Sequence, residues 1–139
     1  MSSLPSAARR LGVNEVVLDA SALLAFLNQE TGKEVVAELL PGAAVSAVNL
    51  SEVVAKLLEA TMPVDAVRSA LGDLGLDVRP FDAEMAYAAG SLRTATRKLG
   101  LSLGDRACLA LGQLLSRPVL TTDRAWESLD LGVTVRSIR

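Results

Sequence analysis

The chain has 139 residues, half of them hydrophobic, with 14 basic and 16 acidic side chains and a formal net charge of −2. That length and apolar content fit one folded domain and exclude a disordered chain, while the charge balance excludes nucleic-acid binding by bulk basicity. With no histidine, and with Cys108 as the single cysteine, an intramolecular disulfide, a Cys/His zinc site and every histidine-based catalytic couple are excluded.

Aromatic residues make up 3% of the chain, so a core has to be built from Leu, Val and Ala. That composition favours helices and leaves short Val-containing runs for strands. Residues 1–12, carrying Ser, Pro, Ala and Arg, read as a flexible N-terminal leader ahead of a single domain over residues 13–139. Arg9 and Arg10 precede an apolar stretch, but Glu15 and Asp19 interrupt it and no uncharged run reaches 18 residues. No signal or membrane segment is therefore expected, and the chain reads as cytoplasmic.

Residues 15–19 (EVVLD) read as a buried strand and 20–27 as a short helix. Residues 31–40 (TGKEVVAELL) have the pattern of a helix opened by a capping box, Thr31 with Glu34, and stopped at Pro41 and Gly42. A weak second strand follows at 43–47, then a helix over 49–59 capped by Asn49 and another over 64–74. Residues 77–81 (DVRPF) read as a strand that Pro80 confines to an edge or to its own end. The longest predicted helix, 82–99, has Asp82 as N-cap and Gly100 as its stop. A helix over 102–115, a strand at 118–122 (PVLTT), a short helix at 123–129 and a strand at 133–138 complete the chain. Strands alternating with helices predict an α/β sandwich around a mostly parallel sheet of about four or five strands, with helices on both faces.

In such folds ligands lie beyond the carboxyl ends of the strands, and the helix N-termini meet there too. Asp19 ends the first strand and Asp123 the strand PVLTT, while Glu52 and Asp105 sit near the starts of their helices. Each acid also has a structural explanation: Asp19 and Asp123 as N-caps, Glu52 and Asp105 as members of capping boxes with Asn49 and Ser102. What capping leaves unexplained is the convergence of four carboxylates on one rim, where they repel one another unless a cation intervenes. Magnesium or manganese, hard ions that prefer oxygen ligands, would relieve that repulsion.

Glu59 lies two turns beyond Glu52 and cannot join the rim, and Glu34 and Glu38 read as a solvated face. Ser21 and Thr121 are candidates for positioning water or phosphate, with capping or turn roles as the alternative. Arg106 and Arg124, each following a site acid, are candidates for holding a phosphate backbone, as are Arg93, Arg97 and Lys98; a solvated or helix-end charge is the competing explanation for each. Glu127 falls one turn after Asp123 and is expected to stay out of the site. Cys108, inside CLALGQLL, reads as an inert core thiol.

The segments LDASALLAFL with Asp19, NLSEVVAKL with Glu52, LSLGDRACLALG with Asp105 and VLTTDRAW with Asp123 resemble the signature of PIN domains. In order, spacing and flanking residues they are most similar to VapC-type toxins. The resemblance implies a PIN-like three-layer sandwich with an acidic pocket at one rim. It also implies an endoribonuclease dependent on Mg²⁺, with Mn²⁺ able to substitute, and Asp19, Glu52, Asp105 and Asp123 as metal ligands. RNA, such as a tRNA or rRNA, is the implied substrate, and a cognate antitoxin and a homodimer partner are implied as well. Leu23, Leu24, Phe26 and Leu27, with Val53, Val54, Leu57 and Leu58, form either a buried core or the groove and dimer face that such partners would cover.

Two other readings use the same residues. A magnesium-dependent phosphatase with Asp19 as nucleophile would employ Asp19 and Asp123, but the second acid usual two residues on is here Ser21. A catalytically inactive PIN-like binding module would keep the fold without needing all four acids.

Overall fold

At the first strand, Val16 and Leu18 face one side of the sheet and Val17 the other, and all three are fully buried. A strand covered on both faces is the mark of a parallel sheet with a helical layer above and below. The computed structural model describes residues 15–139, so the leader expected at residues 1–12 lies outside the described part. The elements are β1 (Val17–Leu18), α1 (Ala20–Leu27), α2 (Lys33–Leu39), β2 (Ala44–Ser46), α3 (Ala47–Glu59), α4 (Val64–Gly72) and β3 (Asp77–Arg79). They continue as α5 (Ala83–Ser91), a 3₁₀ turn (Arg97–Leu99), α6 (Leu103–Leu115), β4 (Val119–Thr121), a second 3₁₀ turn (Arg124–Ser128) and β5 (Val135–Ser137).

The five strands are all parallel, in the order β3-β2-β1-β4-β5. The expected three-layer α/β sandwich is therefore what the chain adopts, and β3 lies at an edge and ends just before Pro80. One core packs Leu18, Val45 and Leu120 against α1 to α4 through Leu23, Val36, Val53 and Leu71. The other packs Val17, Ala44 and Val119 against α5 and α6 through Met85, Ala89, Cys108 and Leu109. Each fully buried Leu or Val contributes about 1.5–3 kcal/mol relative to leaving it in water. Among the described residues no helix is long and apolar enough to cross a membrane.

Three expectations are corrected. No Thr31 capping box forms: α2 begins at Lys33 behind Gly32, whose φ of 98° is left-handed. Gly32 is needed there because a side chain would collide with Ile138, and Gly32 rather than Thr31 is the residue at the N-cap. Asn49 is not the cap of α3 either. The helix begins at Ala47, straight from β2, and Ser46 caps it by accepting from the Val48 N–H at 3.2 Å. Finally, the helix expected over 82–99 stops after Ser91. Its continuation is a series of turns in which Thr96 sends both its N–H and its hydroxyl to the Leu92 carbonyl, so Arg93 and Arg97 do not share one helix. Asp82 still caps the helix by accepting from the Met85 N–H, but left-handed Gly100 ends the 3₁₀ turn Arg97–Leu99 and not the helix.

Of the apolar residues read as core or partner surface, Leu23, Val53 and Leu57 are core. Leu58 is exposed and, with Leu50, Val54, Val64 and Leu71, lines an apolar groove of about 410 Å³ between α3, α4 and β3.

Candidate active site

The chain visits β2 and β3 on one side of β1, then crosses to β4 and β5 on the other, so the order reverses between β1 and β4. Crevices for ligands open at such reversals, beyond the strands' carboxyl ends. The β1–β4 register pairs Leu18 with Leu120, which sets Asp19 beside Thr121 at that point. Asp19 caps α1: its Oδ1 accepts from the Ala22 N–H at 2.8 Å and from the Ser21 hydroxyl at 2.7 Å. The Thr121 hydroxyl also bonds the Asp19 carboxylate. Asp19 is 4% exposed, and burial raises its pKa to about 6 against the pull of those three hydrogen bonds, with the negative charge of Asp105 adding to the rise.

Glu52 reaches the same rim from α3. Because Ser46 rather than Asn49 caps the helix, Glu52 lies in its second turn, not its first. It is brought to the rim by a crossing of α3 over the start of α6, where its carboxylate lies directly against Gly104. Asn49, fully inside, donates its side-chain amide to Glu52 Oε1 at 2.9 Å and to the Gly104 carbonyl at 3.0 Å. Asp105 follows Gly104 and completes a capping box with Ser102: its Oδ2 accepts from the Ser102 N–H at 2.9 Å. Cys108 lies below, fully buried, and its thiol is pushed well above the ordinary range by burial and then by Asp19, Asp105 and Glu52. The three acids from three elements thus share one electrostatic neighbourhood.

Asp123 stands at the margin of this group. It is exposed, caps the second 3₁₀ turn by accepting from the Ala125 N–H at 3.0 Å, and donates its own N–H to the Thr121 hydroxyl at 3.1 Å. Thr121 therefore links Asp123 to Asp19. The Ser21 hydroxyl, besides donating to Asp19, accepts from the Thr122 N–H at 3.0 Å, so both hydroxyls are occupied in fastening the ends of β1 and β4 together. Arg124 shares an open hollow with Asp123, Thr31 and Arg139, and its Nε donates to the Arg139 carbonyl. Arg106 turns toward α5, where Nη1 donates to the Ala89 carbonyl at 3.1 Å. Glu127 is held by the backbone N–H of Ser137, and Glu59 by Lys56.

The donor set is one of hard carboxylate oxygens, which matches magnesium or manganese and not a softer metal. Among the described residues no three acid or cysteine side chains stand close enough to clasp one ion by themselves. A spread set of carboxylates still fits magnesium, which retains several waters and takes only one or two direct carboxylate ligands. The residues that sequence reasoning missed are Asn49 and Gly104. The one available signal was the three-residue spacing of Asn49 and Glu52, which puts them on one helix face.

A parallel sheet with acids gathered where its order reverses defines a class of protein, and residues 16–131 match the PIN domain family, to which the chain belongs. Within that family its place is with the VapC type. It is 33% identical to the ribonuclease VapC42 of Mycobacterium tuberculosis, over 76% of this chain and 88% of that one. The same figures hold for a VapC ribonuclease of Mycobacterium bovis. Among solved structures it superposes on a toxin–antitoxin complex from Klebsiella pneumoniae with a TM-score of 0.72 at 19% identity, covering 89% of this chain and 98% of that one. Mycobacterium tuberculosis VapC20, described as a sarcin-ricin loop cleaving toxin, gives a TM-score of 0.70 at 16% identity, covering 86% and 98%. At such identities the likeness is one of fold.

Proposed function

We propose that the chain is a metal-dependent endoribonuclease, the toxin of a toxin–antitoxin pair, hydrolysing RNA phosphodiester bonds at the rim formed by Asp19, Glu52, Asp105 and Asp123. The observation that carries this reading is Asp19: a carboxylate 4% exposed, with the charge of Asp105 in its field and no Lys or Arg paired with it among the described residues. A buried carboxylate in acidic company calls for a cation, and the donor set calls for Mg²⁺ or Mn²⁺. When bound, such an ion supplies a nucleophile from water at neutral pH and offsets the charge on the scissile phosphate, which suits a chain with no histidine.

The chain's own residues supply the frame. Ser21, Thr121 and the Ala22 N–H orient Asp19, and the capping box orients Asp105. Arg124, at the lip beside Asp123, is suited to a backbone phosphate. RNA as substrate is supported by the ribonuclease names of the relatives at 33% identity. An antitoxin partner is supported by the complexes in which the structural neighbours were solved, and the groove between α3, α4 and β3 fits an amphipathic segment of such a partner. A homodimer is the expected assembly.

The test is cleavage of total cellular RNA by the purified chain, with EDTA and then with excess Mn²⁺, against Asp19→Asn. Metal-restored cleavage that the variant lacks is the expected result. Binding of a partner with no cleavage of any RNA would instead favour an inactive binding module.

A further inference from the structure

We propose that Asn49 is a positioning residue, which fixes Glu52 against the first turn of α6, and that Gly104 is the seat this requires. The inference rests on the nuclease reading of the acidic rim and adds to it two residues outside the acids.

The buried face of α3 is Asn49, Val53 and Leu57, spaced by four. The first of these is polar, 1% exposed, in a stripe otherwise built for packing. Both protons of its amide are used, one by Glu52 Oε1 at 2.9 Å and one by the Gly104 carbonyl at 3.0 Å. The amide's orientation is dictated by those partners, since both are acceptors and the flipped form would set oxygen against oxygen. That orientation leaves Asn49 Oδ1 buried with no partner among the described residues. An apolar residue would avoid that orphaned acceptor, which costs stability. What only the amide provides is a donor to Glu52 and to α6 at once.

Gly104 tells the same story from the other side. Its backbone is ordinary helix, so no left-handed φ demands glycine there, and glycine is a poor helix former. A methyl group at this position would overlap the Glu52 carboxylate. Glu52 is otherwise exposed, and without the amide and the seat its side chain would be free to swing into solvent. With them, the carboxylate is held one residue from Asp105, so the spacing of the two acids is set by packed helices and not by a mobile rotamer. Partners of this kind, one step behind a metal's ligands, commonly alter affinity about 10–100-fold when removed.

The experiment is Mn²⁺ binding by calorimetry on the full chain, for the parent, Asn49→Leu and Gly104→Ala, with melting temperature in EDTA and RNA cleavage alongside. Asn49→Leu keeps the branched shape and removes the orphaned acceptor. Gly104→Ala only has to displace the end of a flexible side chain and improves helix propensity. Both are expected to melt in EDTA at or near the parent temperature while binding Mn²⁺ about tenfold more weakly, with cleavage falling in step. Should Asn49→Leu fail to fold, Gly104→Ala carries the test. Parent-like Mn²⁺ affinity and cleavage in Gly104→Ala, or in a folded Asn49→Leu, would overturn the positioning role alone. A parent that takes up no Mn²⁺ would overturn the nuclease reading and this role with it.

Discussion

Thr121, fully buried at the end of β4, bonds the carboxylate of Asp19 at the end of β1, and the same hydroxyl accepts the backbone N–H of Asp123. One oxygen thus couples the first acid of the site to the backbone of the last. Thr121→Val keeps the shape and removes both bonds. It is expected to lower stability by roughly 1–3 kcal/mol, the usual cost of leaving a buried polar partner unsatisfied, as read by urea denaturation. It should also raise the pKa of Asp19 further, as read by carboxyl NMR titration, because one of the bonds that lower it is gone. A variant unchanged in both respects would mean that the hydroxyl is not coupled to Asp19.

The pKa of Asp19 makes metal-free stability depend on pH. Its folded-state value, about 6, is above the unfolded 3.8, so the native state binds the extra proton between them. The contribution of Asp19 is then fully present below about pH 3.8 and is lost as pH rises through about 6. Two pKa units correspond to about 3 kcal/mol. In EDTA, the parent is expected to lose roughly that much relative to Asp19→Asn on going from about pH 4 to about pH 7, measured as the difference between denaturation curves. Parallel pH profiles would show that Asp19 is not the strained group.

Asp105 serves both as capping residue and as candidate ligand, and substitutions separate the two roles. Ser102→Ala removes only the hydroxyl's half of the box and is expected to cost about 1 kcal/mol; the Ser102 N–H still holds the Asp105 carboxylate, so Mn²⁺ binding and RNA cleavage should stay intact. Asp105→Asn retains an oxygen for the Ser102 N–H, so stability should hold to within about 0.5 kcal/mol while cleavage is lost. Cleavage that falls equally in both variants would reduce Asp105 to a cap.

What was legible in the sequence was what depends on neighbours in the chain. The strand burial and the caps at Asp19, Asp82 and Ser102 all follow from residues within a few positions of one another. Three of the rim acids could be placed because strand ends and helix starts share an edge in a parallel sheet. Glu52 was placed on the right rim through a wrong local premise. Asn49 looked like a cap because caps are read from pattern, yet Ser46 at the strand end supplied the hydroxyl first and turned Asn49 inward. The contact that holds Glu52 at the rim joins it to Gly104, far along the chain, and no local pattern announces such a contact. Likewise the break after Ser91 comes from Thr96 folding back on Leu92, which helix periodicity alone does not register.

The central claim is that the acids where the sheet order reverses form a cation site and are not merely four helix caps. Melting of the parent, Asp19→Asn and Glu59→Gln, each with and without Mn²⁺, tests it most directly. The parent and Glu59→Gln should gain about 2.7 kcal/mol at a hundredfold excess of Mn²⁺ over its dissociation constant, and Asp19→Asn should lose most of that gain. If Mn²⁺ stabilises none of the three, or stabilises Asp19→Asn as much as the parent, the acids are structural and the nuclease assignment is wrong.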